Sequence, residues 1–277
     1  MRILLGTTGM PQAAPVIASG ARLARQIASA VDILAVPGRG AANECRRQIE
    51  SAVAELDAAG VPVQVLVRRG SLANEVLAQA WSVHYDLVVV GRPERQGIMA
   101  RLTRPEALAV AGQAPSSVLV VSGRERAFQR FLVCTSGGPL SSQPIQFAAN
   151  LACRLGAGIT LLHVMSQLPL TKKAVVEDLV ATATELIQRG SPEGTHLRQM
   201  LAGLEATGVT AQAVVRHGLV VNEILAEAQR GDYDLIVVGA HTTPGLPAFL
   251  VEDLAFDVVR AADRPVLIVR GNEEPAP

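Results

Sequence analysis

Four arginines, Arg92, Arg95, Arg101 and Arg104, crowd the stretch between Gly91 and Pro105. Guanidinium forks hold phosphate or carboxylate through paired hydrogen bonds, so such a cluster is the chemistry of an anion site. A solvated basic loop uses the same residues, and that reading carries the greater weight. The remaining reactive side chains do not assemble into a catalytic set. Ser136, Ser141 and Ser142 lack a G-x-S-x-G context, and Thr135-Ser-Gly-Gly138 reads as a strand-to-helix turn. His163 and His241 have no second His, Cys or carboxylate at ligand spacing, so each is read as structural or surface, and no metal is expected. Cys45, Cys134 and Cys153 form no C-x-x-C pair, and their odd number argues against a disulfide framework and for a reducing, cytoplasmic setting.

What positions these residues is a duplication. His84-Tyr-Asp-Leu-Val-Val-Val-Gly91 recurs 148 residues later as Asp232-Tyr-Asp-Leu-Ile-Val-Val-Gly239, and Asn74-Glu75 recurs at the same offset as Asn222-Glu223. Nearer the start of each copy the offset is 128, as between Arg2-Ile-Leu-Leu and Arg130-Phe-Leu-Val, so the second copy carries 20 extra residues between Val164 and Gly218. Two copies of this length mean a duplicated domain and not a solenoid. The expected boundaries are 1–123 for the first domain, 124–129 for a linker and 130–277 for the second.

Within each copy, short Val- and Ile-rich runs alternate with helical stretches. Ile3 to Leu5, Ile33 to Val36, Val63 to Val67, Leu87 to Val90 and Val118 to Val121 do not alternate with polar residues, which suits strands buried on both faces of a parallel sheet. Ala13 to Ala28, Ala41 to Ala59, Leu72 to Trp81 and Pro105 to Gly112 supply the crossover helices. The second copy repeats the pattern, and Arg189-Gly-Ser-Pro192 is expected to break its longer second helix in two. The fold class is therefore α/β: two tandem doubly wound five-stranded parallel-sheet domains related by pseudo-twofold symmetry, with ligand sites beyond the carboxyl ends of the strands. With 25 basic and 25 acidic residues the net charge is zero, so no overall field attracts nucleic acid or an anionic membrane. No run reaches about 18 apolar residues, so no membrane span is expected, and Met1 to Met10 is too short for a signal-peptide core.

At its strand ends the chain resembles the universal stress protein family in its tandem form. The likeness rests on Phe131 to Gly137, Leu161 to Val164, Asp234 to His241 and Pro265 to Val269, and in weaker form on Ile3 to Gly9, Ile33 to Val36, Asp86 to Gly91 and Val118 to Val121. It implies an adenine nucleotide alpha hydrolase-like fold. ATP-binding members carry an acidic residue after the first strand and a G-x-x-G-x9-G-[ST] loop after the fourth, whose glycines let backbone N–H groups reach the phosphates. Here the acidic position is Thr8 in one copy and Ser136 in the other. The second copy's loop starts at Gly239, but Thr242, Glu252 and Asp253 stand where two glycines and a hydroxyl belong. Like charges about 4 Å apart repel by roughly 4 kcal/mol at an effective dielectric of about 20, which opposes phosphate there. We read Glu252 and Asp253 as occupying free N–H groups at a helix start. In the first copy Pro105 removes a donor, and Thr103-x-x-Glu106 reads as a capping box.

The resemblance thus implies a binding or regulatory protein of the stress response with degenerate nucleotide loops, no catalysis and no required cofactor. The alternative it leaves open is an ATP- or AMP-binding protein with slow ATP hydrolysis, using Ser136, Val164, Gly239, Thr242 and Gly245. A nucleotide-dependent transferase on the same fold would need an acid, base or nucleophile that the strand ends do not supply. The expected partner is internal, the edges Val118 to Val121 and Val266 to Val269 meeting as single-domain relatives pair through their last strands; a homodimer and an unknown regulatory protein are the others considered.

Overall fold

The computed structural model describes residues 1–10, 13–38, 40–92, 106–122, 125–136, 142–165, 181–240 and 248–270, with the backbone alone for 248–253. Its contacts divide the chain into two compact units, Met1–Ala127 together with Ala262–Arg270, and a second built on Phe128–Ala261.

The first unit runs β1 (Arg2–Thr7), α1 (Ala14–Ile27), β2 (Ala30–Ala35), α2 (Ala42–Ala58), β3 (Val63–Val67), α3 (Leu72–Ser82), β4 (Leu87–Gly91), α4 (Glu106–Gln113) and β5 (Ser117–Val121). These strands lie parallel in the order β3-β2-β1-β4-β5. The central strands are apolar without alternation because both faces are covered: Ile3, Leu4, Val88, Val89 and Val118 are fully buried. Each such side chain contributes about 1.5–3 kcal/mol relative to exposure.

The second unit runs β6 (Arg130–Thr135), α5 (Ser142–Leu155), β7 (Gly158–Met165), α6 (Ala183–Arg189), α7 (Pro192–Ala206), β8 (Ala211–His217), α8 (Val220–Arg230), β9 (Leu235–Gly239) and α9 (Ala248–Ala261). Its strands lie parallel in the order β9-β6-β7-β8. The strand that completes the second repeat, β10 (Val266–Val269), belongs by its contacts to the first unit and runs antiparallel to β5, Leu267 opposite Leu119. The two apolar edges singled out in the sequence therefore pair.

The broken helix forms for local reasons. Thr182 and Glu185 make a reciprocal capping box at the start of α6, and Gly190 ends that helix in the left-handed region at φ 67°. Ser191 then caps α7, its Oγ accepting from Gly194 N at 3.0 Å, with Pro192 as the first helical residue. α7 matches α2 of the first repeat: Val61 N donates to Leu56 O and Val209 N donates to Leu204 O, each beside a left-handed glycine, Gly60 or Gly208. The extra residues thus fall before α7, and α6 is the described part of them.

At the amino ends of the strands a buried polar network fixes the first sheet. Asp32, 3% exposed, accepts from Arg2 Nη2 at 2.9 Å and from the Tyr85 hydroxyl, while Gln79 Nε2 donates to that hydroxyl at 2.9 Å. Burial, followed by the hydrogen bond to Asp32, pushes Tyr85 up to about 12. Arg2 also lies over the Tyr85 ring; the second unit keeps this stacking as Arg130 over Tyr233 but carries Thr160 in the place of Asp32, with Gln212 donating to its hydroxyl.

Candidate functional site

In the first unit the carboxyl ends of β1 and β4 meet the start of α1. Thr7 Oγ1 accepts from Gly9 N at 3.0 Å and is buried, which uses the hydroxyl to shape the turn. A Cβ on Gly91 would come within 2.2 Å of Val16, so the valine packs directly on the glycine that opens the loop. What remains between Gly6, Thr8, Val16, Leu72 and Gly91 is a cavity of about 30 Å³, enough for roughly one water. Arg92 sits half-buried beside it. Its backbone N–H donates to Val121 O at 2.9 Å and a guanidinium nitrogen donates to Ala262 O, so Arg92 is engaged by the protein's own backbone. Arg95, Arg101 and Arg104 lie outside the described residues, as does Thr103 of the expected capping box. Glu106 accepts from Ser71 Oγ at 2.9 Å.

A larger groove of about 400 Å³ runs between α1 and α2, floored by Ile17, Ala18 and Ala52 and rimmed by Glu44, Arg47 and Glu55. Its charges are largely spent on one another. Glu44 pairs with Arg47 and accepts from Gln48 Nε2 at 3.0 Å, and Glu55 lies 3.5 Å from Arg25. The Gln48 hydrogen bond and, after it, the Arg47 charge hold Glu44 below the ordinary carboxylate value.

In the second unit, Gly239 ends β9, Ser136 follows β6 and Val164 lies near the end of β7, so three of the residues singled out in the sequence occupy the carboxyl ends of adjacent strands. Ser136 is exposed, and Val164 and Gly239 are half-buried. Thr242 and Gly245 lie outside the described residues, as does His241. Beside them stands a cluster that reading the sequence missed. His163 Nδ1 lies 3.1 Å from Thr135 O; a carbonyl only accepts, so Nδ1 carries the proton. His196, on α7, places Nε2 3.4 Å from Thr135 Oγ1, and burial, then the neighbouring His163, lowers its pKa. The signal was available: the offset of 148 that aligns α7 with α2 sets His196 where the first repeat has Gln48, a polar residue that likewise reaches the strand ends through Met10 O.

One expectation is corrected. Glu252 and Asp253 are not at a helix start, because α9 begins at Ala248 and has no acidic residue in its first turn. Ala248-Phe-Leu-Val251 follows Pro247 and extends the helix by a turn ahead of the two carboxylates.

The described residues present no activated nucleophile. Burial pushes the Cys134 thiol up to about 12 and raises that of Cys45, and all three cysteines are free. Among the described residues no group of three or more His, Cys, Asp or Glu is arranged to hold a metal ion, and no helix is long and apolar enough to cross a membrane.

The comparisons agree with this fold. Among curated proteins, the universal stress protein MJ0531 of Methanocaldococcus jannaschii is 25% identical over 151 residues, covering 54% of this chain and 87% of that protein. A universal stress protein from Archaeoglobus fulgidus superposes with a TM-score of 0.69 at 15% identity, covering 98% of this chain and 97% of its own. A functionally unknown protein from Pseudomonas aeruginosa PAO1 gives a TM-score of 0.72 at 17% identity over 99% of this chain and 94% of its own. At such identities the solved structures establish the fold. The sequence model of the universal stress protein family matches twice, at residues 1–122 and 127–270, and the chain therefore belongs to that family, in tandem form.

Proposed function

We propose that this chain is a binding or regulatory protein of the stress response, working in the cytoplasm without catalysis, with nucleotide binding weakened in both repeats. The observation that carries the reading is the packing of Val16 on Gly91, which leaves about 30 Å³ at the first repeat's strand ends. Pockets that hold drug-sized ligands measure roughly 300–1,000 Å³. The absence of an acidic residue at Thr8 and Ser136 points the same way. If an anion binds in the first repeat, Arg101 and Arg104 are the arginines to test, since Arg92 already serves Ala262.

A second reading, an ATP- or AMP-binding protein with slow hydrolysis, is favoured by the exposure of Ser136 beside half-buried Val164 and Gly239 at neighbouring strand ends. Titration calorimetry with ATP, ADP and AMP separates the two. Weak binding is expected of the unmodified protein. Submicromolar affinity for ATP in the unmodified chain would overturn the first reading.

A further inference from the structure

We propose that the free edge of β3 docks a second copy of this chain, β3 against β3 and antiparallel, about a twofold axis at Val65. Among the described residues β3 pairs with β2 alone and ends the order of its sheet. Val31 N donates to Pro62 O at 2.9 Å and Arg68 N donates to Ala35 O at 2.8 Å. A parallel ladder engages alternate residues, so the even-numbered positions face β2, and Val63, Val65 and Val67 turn their N–H and C=O groups outward. Their side chains share one face, on which Val65 is 41% and Val67 65% exposed.

The sister strand has the corresponding face covered. β8 occupies the same place in the second repeat, with α6 and α7 both packed against it, and Val215, at the position of Val67, is 6% exposed. Among the described residues the first repeat has no counterpart of α6. Its edge also lacks the devices that blunt exposed strands, since Val63-Gln-Val-Leu-Val67 contains no proline, charge or bulge.

The occupant follows from symmetry and charge. An antiparallel register centred on Val65 sets Val63 of one copy opposite Val67 of the other, so every outward-facing residue meets another and each pair exchanges two hydrogen bonds. The same register carries exposed Arg68 and Arg69, which follow the strand, to the start of β3 in the other copy. There Asp57, exposed at the end of α2, is tied to the turn through the Gly60 N–H at 2.9 Å. Basic end meets acidic end on both sides of the axis, which makes the patch complementary to itself, as a twofold contact requires.

Sedimentation equilibrium of the full chain across a hundredfold range of concentration tests this. A reversible dimer is expected. Val65→Lys sets two like charges face to face on the axis and should give a monomer with an unchanged circular dichroism spectrum. Arg68→Glu with Arg69→Glu should weaken association at least tenfold, and adding Asp57→Lys should restore it. A monomer at every concentration overturns the proposal, as does a dimer whose mass none of these variants alters.

Discussion

Replacing Gly194 by alanine sets helix propensity against packing on a single carbon atom. Alanine is favoured over glycine inside a helix by up to about 1 kcal/mol. At Gly194, however, α7 crosses α6 so closely that an added Cβ would lie 2.0 Å from Leu186 O and 2.6 Å from Ile187 N. The obstacles are backbone atoms that cannot rotate away, so the two helices must separate by more than 1 Å or the turn at Gly190 must open. Overpacking of this kind costs typically 1–3 kcal/mol, and a backbone obstacle places it at the upper end, leaving a net loss of about 2 kcal/mol. In a domain of this size that lowers the melting temperature by roughly 4–8 °C. Gly203 on the same helix is the internal control, being exposed with nothing within 4 Å of its would-be Cβ; Gly203→Ala should be neutral or stabilising by up to about 1 kcal/mol. Thermal unfolding followed by circular dichroism reads both. Equal melting temperatures for the two variants, or a Gly194→Ala protein as stable as the parent, would refute the packing argument.

Asp32→Ala should cost about 1–3 kcal/mol, because the buried Tyr85 hydroxyl loses its acceptor, and the tyrosine's titration should fall from about 12 toward its ordinary value of 10 in an absorbance titration. In the parent, folded Tyr85 keeps its proton where the unfolded chain loses it, so stability should fall as pH climbs from 10 toward 12, which denaturant titrations across that window will read. His196 works in the opposite direction: the fold favours its neutral ring, so stability is complete above about 6.5 and declines as pH falls below that value. His196→Gln should flatten this part of the profile. Of the three thiols, exposed Cys153 should react first with a thiol reagent in the native protein, half-buried Cys134 more slowly because its raised pKa keeps it protonated, and buried Cys45 only on unfolding, as counted by mass spectrometry. A fragment of residues 1–123 should self-associate, since it leaves the β5 edge unpaired; a monodisperse monomer in sedimentation would count against the role given to β10.

The strands were legible because burial on both faces removes any need for polar residues: β4 and β10 span the buried apolar runs Leu87 to Val90 and Val266 to Val269. The break between α6 and α7 was legible from Gly190, Ser191 and Pro192, whose backbone preferences act locally. What escaped depends on contacts between distant residues. His163 and His196 are neighbours only because α7 lies over the end of β6, and no spacing rule joins residues on different elements. The start of α9 escaped for another reason: the family loop pattern assigned Glu252 and Asp253 to a helix start, whereas local propensity carries the helix back to Ala248. Val16 against Gly91 is again a tertiary contact, between residues whose sequence neighbourhoods say nothing of each other.

The pairing of β10 with β5 sets an order of events during synthesis. Roughly 150 residues of chain separate Val120 from its partner Val266, and a ribosome adding about 5–20 residues per second takes roughly 7–30 s to make them. The first repeat can collapse long before that, because its other strands are all in hand once β5 is made. Throughout the delay it offers neighbouring nascent chains an unsatisfied apolar ladder. On a crowded polysome the β10 of one chain can reach the β5 of the next, giving strand-exchanged products whose yield should rise with expression rate and fall when translation is spaced out.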